Sequence, residues 1–187
     1  MNVAVPRNAL LDARALARVL TRMAQDVVRF AGGTERLVLV GIQRRGVELA
    51  ERLGRLIAER EGTEVPRGAL DITLYRDDLE TVGPRPVVGE TRLPLMDLTG
   101  RCVVIVDDVL YTGRTVRAAL DELVDFGRPA RIGLCVLVDR GGRELPIQAD
   151  IVGERVETRP GDRVDVLLTE VDGRDAVELV RAKGGAS

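Results

Sequence analysis

Two adjacent carboxylates, Asp107 and Asp108, stand where the apolar run Val103-Val104-Ile105-Val106 gives way to Val109-Leu110-Tyr111-Thr112-Gly113-Arg114-Thr115. The stretch reads as a buried strand, an acid pair, and a small-residue loop that opens a helix. In an open α/β sheet, ligands sit outside the carboxyl ends of the strands, which is where this pair falls. The loop beyond leads into a helix N-terminus, whose unpaired N–H groups and partial positive charge favour a phosphate. Gly113 lets the backbone approach closely, and Thr112 and Thr115 add hydroxyl donors. Carboxylates beside a phosphate repel it, so the pair must face another part of the ligand: sugar hydroxyls, a Mg2+ ion, or a developing cation. A phosphorylated sugar meets all of these conditions. The same residues also fit an ordinary strand-to-helix turn with a solvated acid pair and a threonine cap. Neither GxxxxGK(S/T) nor a GxGxxG opening a helix occurs, so the chain has no P-loop and no Rossmann fingerprint.

The apolar periodicity supplies the scaffold for these residues. Over 12–30, Ala15, Leu16, Val19, Leu20, Met23 and Val27 recur at helical spacing, and Gly32-Gly33 ends the run. Residues 37–40 form a continuous apolar strand closing at Gly41, and 47–61 resume helical spacing. The turn Gly41-Ile42-Gln43-Arg44-Arg45-Gly46 between them suits a pyrophosphate, bound by backbone N–H groups and Arg45. It equally suits a glycine-bounded loop with two solvated arginines. Residues 69–75 predict a short strand. Residues 76–94 are polar and hold Gly83-Pro84, Pro86, Gly89 and Pro94, the composition of a long loop. After the strand at 103–106 comes a helix at 115–126 with Val116, Ala119, Leu120, Leu123 and Val124 on one stripe, then a strand at 131–138. This is a βαβ unit, right-handed and parallel. Short strands are expected near 151–156 and 164–169, and a last helix from 175 to 182. The fold class is α/β, a central and mainly parallel sheet flanked by helices.

Composition narrows the function further. A chain of 187 residues fits one domain. Its 28 basic and 30 acidic side chains leave a formal charge of -2, which gives no whole-protein field for nucleic acid or membrane; any basic surface must be local. There is no histidine, so histidine catalysis and histidine metal ligation are excluded. Aromatics at 2% exclude a surface that stacks single-stranded bases on rings. Cys102 and Cys135 both sit in apolar runs, as small buried hydrophobes in a reducing compartment would. No apolar run approaches the roughly 18 residues of a spanning helix, and no signal-peptide core is seen, so a cytoplasmic protein with no membrane contact is expected.

Four stretches resemble one family: VGIQRRG (40–46), DITLYRDDL (71–79), VDDVLYTGRTVRAALDELVDFGRP (106–129) and VLVDRGGRELPIQAD (136–150). The acid-pair stretch resembles the PRPP-binding signature of type I phosphoribosyltransferases. The four together resemble the bifunctional pyrimidine-operon attenuation regulators that are also uracil phosphoribosyltransferases. The resemblance implies a single phosphoribosyltransferase domain over 1–187: a core at about 1–140, a small C-terminal hood with a helix at about 141–187, and a flexible flap at about 76–94. It implies transfer of ribose 5-phosphate from PRPP to uracil, giving UMP and pyrophosphate. On that reading Asp107 and Asp108 grip the ribose hydroxyls and, with Arg76 at the root of the flap, serve the reaction electrostatically. Val109, Leu110, Tyr111, Thr112, Gly113, Arg114 and Thr115 hold the 5-phosphate, and Arg44 and Arg45 the pyrophosphate. Arg140 and Val164 flank the base, although Arg140 would equally pair with Asp139 or Glu144. Mg2+ arrives on PRPP, with no direct protein ligand.

The family likeness also implies a second role, in which the protein liganded by UMP or UTP binds a hairpin in pyrimidine-operon leader mRNA and favours termination. Thr21 and Arg22, with Arg18 nearby, match positions the family uses for RNA. Gln25, Phe30 and Glu154 stand where relatives often carry basic groups. A homodimer or larger assembly is implied as well. Two other readings stay open: a protein that acts only as enzyme or only as nucleotide sensor, and a phospho-acceptor signalling domain. Against the last, its acid pair belongs after the first strand rather than a later one.

Overall fold

The computed structural model describes residues 7–72, 91–94 and 97–182. Along the chain run β1 (Arg7–Leu11), α1 (Ala13–Ala31), β2 (Leu37–Ile42), α2 (Arg45–Glu61), β3 (Arg67–Leu70), β4 (Cys102–Leu110), α3 (Arg114–Leu123), β5 (Arg131–Asp139), β6 (Ile151–Arg155), β7 (Arg163–Leu167), α4 (Thr169–Asp172) and β8 (Ala176–Val180). Five strands pair in parallel in the order β3-β2-β4-β5-β6, and β1-β8-β7 form a separate antiparallel sheet.

Parallel strands covered on both faces read as unbroken apolar runs, which is why 37–42 and 102–106 are buried throughout. Their side chains alternate between two cores. Leu37, Leu39, Val104 and Val106 pack with Leu16, Leu20, Met23 and Val27 of α1 and Leu49, Leu53 and Ile57 of α2. Val38, Val40, Val103 and Ile105 pack with Val116, Ala119 and Leu123 of α3 on the other face. The first helix starts where its cap requires, with the Asp12 carboxylate accepting the Ala15 N–H at 2.7 Å, and it ends at Gly32 with φ 74°.

Three expectations are corrected. Residues 175–182 do not form a helix: 176–180 are a fully buried strand lying between β1 and β7. Strand β1, which the periodicity did not suggest, supplies one partner, and Arg7 reaches across to Glu178 at 2.8 Å and Asp165 at 3.2 Å. The strand expected at 103–106 runs from Cys102 to Leu110, so the acid pair lies within β4 rather than just past its end. The strand expected at 69–75 is described only as Arg67–Leu70, and residues 73–75 lie outside the described residues, as do Arg76 and most of the 76–94 stretch. At its far end Arg92 exchanges backbone hydrogen bonds with Ala69 at 2.8 and 2.9 Å. Among the described residues no helix is long and apolar enough to cross a membrane. Both cysteines are buried and unbridged, and burial pushes their thiols up.

Helix α2 is fastened to the chain's last third by two arginines. Arg52 grips Glu170 at 2.6 Å and Asp175 at 2.8 Å, and Arg45 takes Asp172 at 2.9 Å. Arg52 holds the Asp175 carboxyl down at about 2, with the Thr169 hydroxyl and N–H adding to it. A depressed carboxylate contributes stability that is present above its unfolded value near 4 and is lost as the pH falls toward 2. Arg52→Met should therefore destabilise the fold by about 2 kcal/mol at neutral pH, and the deficit should shrink on acidification. Denaturant titrations at pH 7 and at steps between pH 4 and pH 2 measure both.

Candidate active site

Strict alternation along β4 would send Asp107 and Asp108 to opposite faces of the sheet. The alternation instead slips at the pair: Val106 packs on the α1–α2 face, Val109 packs on that same face, and Leu110 packs on the α3 face. Asp107 pairs with Val136 and Val109 with Val138 across β5, so the ladder brackets the slip. Local hydrogen bonds fix the backbone there, the Asp108 N–H donating to Asp107 at 2.9 Å and the Val109 N–H to Asp108 at 2.8 Å. As a result both carboxylates line one cavity of about 260 Å3, together with Ile42, Gln43, Arg44, Arg45, Val109 and Thr115. Burial pushes the Asp108 carboxyl above its usual range, against the Val109 N–H and the nearby Arg45 guanidinium, which favour the charged form.

The arginine turn reaches this cavity because two glycines let it. A Cβ on Gly46 would overlap the Val106 carbonyl and stand 3.3 Å from the Cα of Asp107; one on Gly41 would run into the backbone of Gly46 and Val47. Helix α2 thus begins in direct backbone contact with β4 at the acid pair. The two arginines then divide. Arg45 is committed to Asp172 through two contacts of 2.9 and 3.2 Å, whereas Arg44 is exposed at the cavity and joins no ion pair with a described residue. Asp172, which sequence reasoning missed, gave no local signal because it lies far along the chain.

The loop after β4 leads into α3 through Gly113, whose φ of 94° is in the region that favours glycine. Of its residues, Leu110 is buried in the α3 core, Tyr111 is exposed, and Arg114 pairs with Glu144 at 2.9 Å. The carbonyls of 110–112 are taken by the turn after β5: the Arg140 N–H donates to Leu110, Arg143 to Tyr111, and the Glu144 and Leu145 N–H groups to Thr112.

Arg140 and Val164 are not brought into the acid-pair cavity. Arg140 is buried, donates to the Asp162 carbonyl at 2.6 Å and to the Thr158 hydroxyl at 3.3 Å, and lies 4.0 Å over the Tyr111 ring. It pairs with neither Asp139, which Arg143 and Arg155 engage, nor Glu144. It lines a second cavity, of about 660 Å3, with Gly141, Gly142, Arg143 and Thr158. Val164 sits on β7 with its side chain in the core. On α1, Arg18 is exposed and the Thr21 hydroxyl donates to the Ala17 carbonyl at 3.0 Å. Arg22 faces β6, donating to the carbonyls of Val152, at 3.3 Å, and Gly153.

The chain matches the phosphoribosyl transferase domain family over residues 6–162. A protein of Thermus aquaticus named bifunctional protein PyrR is 59% identical over 175 residues, covering 94% of this chain and 96% of its own length. The protein of that name from Chloroflexus aurantiacus is 57% identical over 172 residues, covering 92% and 94%. Among solved structures, the hypoxanthine phosphoribosyltransferase of Trypanosoma cruzi superposes with a TM-score of 0.67 at 18% identity, covering 94% of this chain and 97% of that one. A hypoxanthine-guanine phosphoribosyltransferase from Bacillus anthracis gives 0.66 at 17%, covering 95% and 99%. At such low identity these two speak to the fold, which they share with this chain. A family match across most of the residues and relatives above half identity over nearly full length lead to one conclusion: the chain belongs to the phosphoribosyl transferase family, in its bifunctional PyrR branch.

Proposed function

We propose that the protein transfers ribose 5-phosphate from PRPP to uracil, giving UMP and pyrophosphate, and that its nucleotide-liganded form binds pyrimidine-operon leader RNA and favours termination. The observation that carries the enzymatic half is the convergence of Asp107, Asp108, Arg44 and Thr115 on one cavity. Breaking the bond from the anomeric carbon to pyrophosphate leaves positive charge on the sugar before the uracil nitrogen bonds and releases its proton. The two carboxylates accept from the ribose hydroxyls and stabilise that charge more than they stabilise neutral substrate. Arg44 faces the leaving pyrophosphate, with Arg45 behind it oriented by Asp172. The N–H groups and hydroxyls of 111–115 face the 5-phosphate. The 660 Å3 cavity beside Arg140 lies next to Tyr111 and is roomy enough for a pyrimidine; there, backbone groups near Arg140 read the base.

Mg2+ fits this arrangement as a passenger of PRPP. Asp107 and Asp108 would hold PRPP by its ribose hydroxyls, leaving the phosphate and ribose oxygens of PRPP itself to carry the ion. When bound, the ion neutralises pyrophosphate charge. Pure protein incubated with labelled uracil, PRPP and Mg2+ should form UMP; no product at any pH would overturn the enzymatic half.

The RNA half rests on the PyrR relatives and on a local run of arginines on α1. It places the protein where leader RNA is transcribed, in the cytoplasm, and a homodimer or larger assembly belongs to the same reading. Because Arg22 is bonded to the carbonyls of Val152 and Gly153 in β6, the cleaner probe is Arg18, which is exposed. Arg18→Ala should weaken binding of a leader hairpin in the presence of UMP and flatten its salt dependence by about one unit of slope. An affinity indifferent to that change at every salt concentration would move the RNA to another face.

A further inference from the structure

A loop that cradles an anion must turn its N–H groups toward the ligand, and this requires its carbonyls to be turned away and satisfied elsewhere. The two ends of a planar trans peptide point in opposite directions, so pinning a carbonyl aims the next residue's N–H. After β4, three successive peptides are pinned by the turn that follows β5. The Leu110 carbonyl accepts from the Arg140 N–H at 3.1 Å, Tyr111 from the Arg143 guanidinium at 2.9 Å, and Thr112 from the Glu144 and Leu145 N–H groups at 3.0 and 3.1 Å. The N–H groups of Tyr111, Thr112 and Gly113 are thereby directed to the other side, and no acceptor among the described residues takes them.

Two of these three pins are backbone to backbone and come with the shape of the turn. The middle one depends on a single side chain. Arg143 also donates to the Ile147 carbonyl at 2.9 Å and the Gly141 carbonyl at 3.3 Å, and its other end is held by Asp139 at 2.6 Å. Asp139 is kept charged for this contact. Burial alone would raise its carboxyl, but Arg143, the Gly141 N–H and Arg155 together hold it below the usual range. The guanidinium therefore ties together both ends of the turn and the loop of the neighbouring strand, a geometry that a point-charge ammonium cannot reproduce. The Tyr111 ring is fixed from two further sides, by the Arg140 guanidinium and by Gly142, where a Cβ would overlap the ring.

We propose that Arg143 is a positioning residue for the nucleotide phosphate, holding the Tyr111 carbonyl so that the Thr112 N–H faces the ligand. Its guanidinium is taken up by the Asp139 carboxylate and by the carbonyls of Tyr111, Gly141 and Ile147, so it acts on the phosphate through the backbone. The proposal rests on the reading that the 111–115 loop holds the 5-phosphate. Without the pin, the peptide between 111 and 112 is free to rotate and present its oxygen to the anion, converting a donor into a repulsive acceptor.

The test is calorimetric binding of UMP and of uridine, which differ only in that phosphate, to the full chain and its variants. Arg143→Met, which keeps the stem, should weaken UMP by about tenfold or more beyond whatever it does to uridine, so that the ratio of the two affinities collapses. Arg143→Lys should fall short of rescuing it and serves in its place if the Met variant does not fold. A purely structural role would lower both affinities together. Thr115→Ala, a change in the first turn of α3 where the phosphate is assigned, separates the two levels. If it lowers the ratio while Arg143→Met does not, the positioning role is wrong and the phosphate site stands. If neither variant moves the ratio, the phosphate is not held by this loop and both fall.

Discussion

Asp107→Asn combined with Asp108→Asn should reduce UMP formation from uracil and PRPP by about a thousandfold or more while leaving a folded protein. Asparagine keeps the side-chain oxygens that accept the Asp108 and Val109 N–H groups, so the slip in β4 has no reason to relax. What disappears is two negative charges in a small cavity, where a developing cation on the sugar feels them far more strongly than it would in water. Stability should move in the opposite direction to activity. Burial raises the Asp108 carboxyl above its ordinary range, so the charged form is a burden on the fold at any pH above that raised value and none below the unfolded value near 4. Asp108→Asn alone should therefore raise Tm at pH 7 and lose that gain in acid. Turnover unchanged by the double substitution would mean that the acids are not at the anomeric carbon.

This opposition between activity and stability explains what sequence reasoning could and could not reach. The acid pair after an apolar strand was legible because it violates a local rule: charges in a buried run demand a reason. Helix α1, with its Asp12 cap and Gly32 stop, and the strands of the parallel sheet were legible because periodicity and caps are local. The slip that brings both carboxylates into one cavity was not, since a strand pattern predicts strict alternation and the aspartate-to-backbone hydrogen bonds that accompany the slip have no residue signature. Nor was β8: Ala-Val-Glu-Leu-Val after an aspartate suits a short helix as well as a strand, and its partners β1 and β7 decide, one of them some 170 residues away. The DRGGREL turn signalled a site near the base, yet in the structure its main visible work is on the loop of the neighbouring strand, through main-chain hydrogen bonds that no residue pattern announces. The partners of Arg45 and Arg52 on the C-terminal segment were hidden for the same reason.

Backbone contact between α2 and β4 leads to the second large effect. Gly46→Ala should lower turnover by about a hundredfold and destabilise the fold by about 2 kcal/mol, although alanine is the better helix former. The added methyl has nowhere to go. It would overlap the Val106 carbonyl, a ladder residue of the central sheet, and lie against the Cα of Asp107, so neither neighbour can turn aside as a flexible side chain would. The start of α2 must then lift off β4, carrying Arg44 and Arg45 away from the acid pair; a displacement near 1 Å is enough for a loss of that size. Gly54, further along the same helix, is the internal comparison. The atoms nearest a Cβ there belong to the Arg67 side chain, which would have to shift against its pairs with Glu51 and Glu64 while the backbone of β4 stays untouched, so Gly54→Ala should retain full turnover at some cost in stability. Steady-state kinetics and thermal melts on the two variants separate the explanations. If both alanines were tolerated alike, close packing at the acid pair would not be what positions the pyrophosphate turn, and its geometry would have to come from the Arg45–Asp172 tie instead.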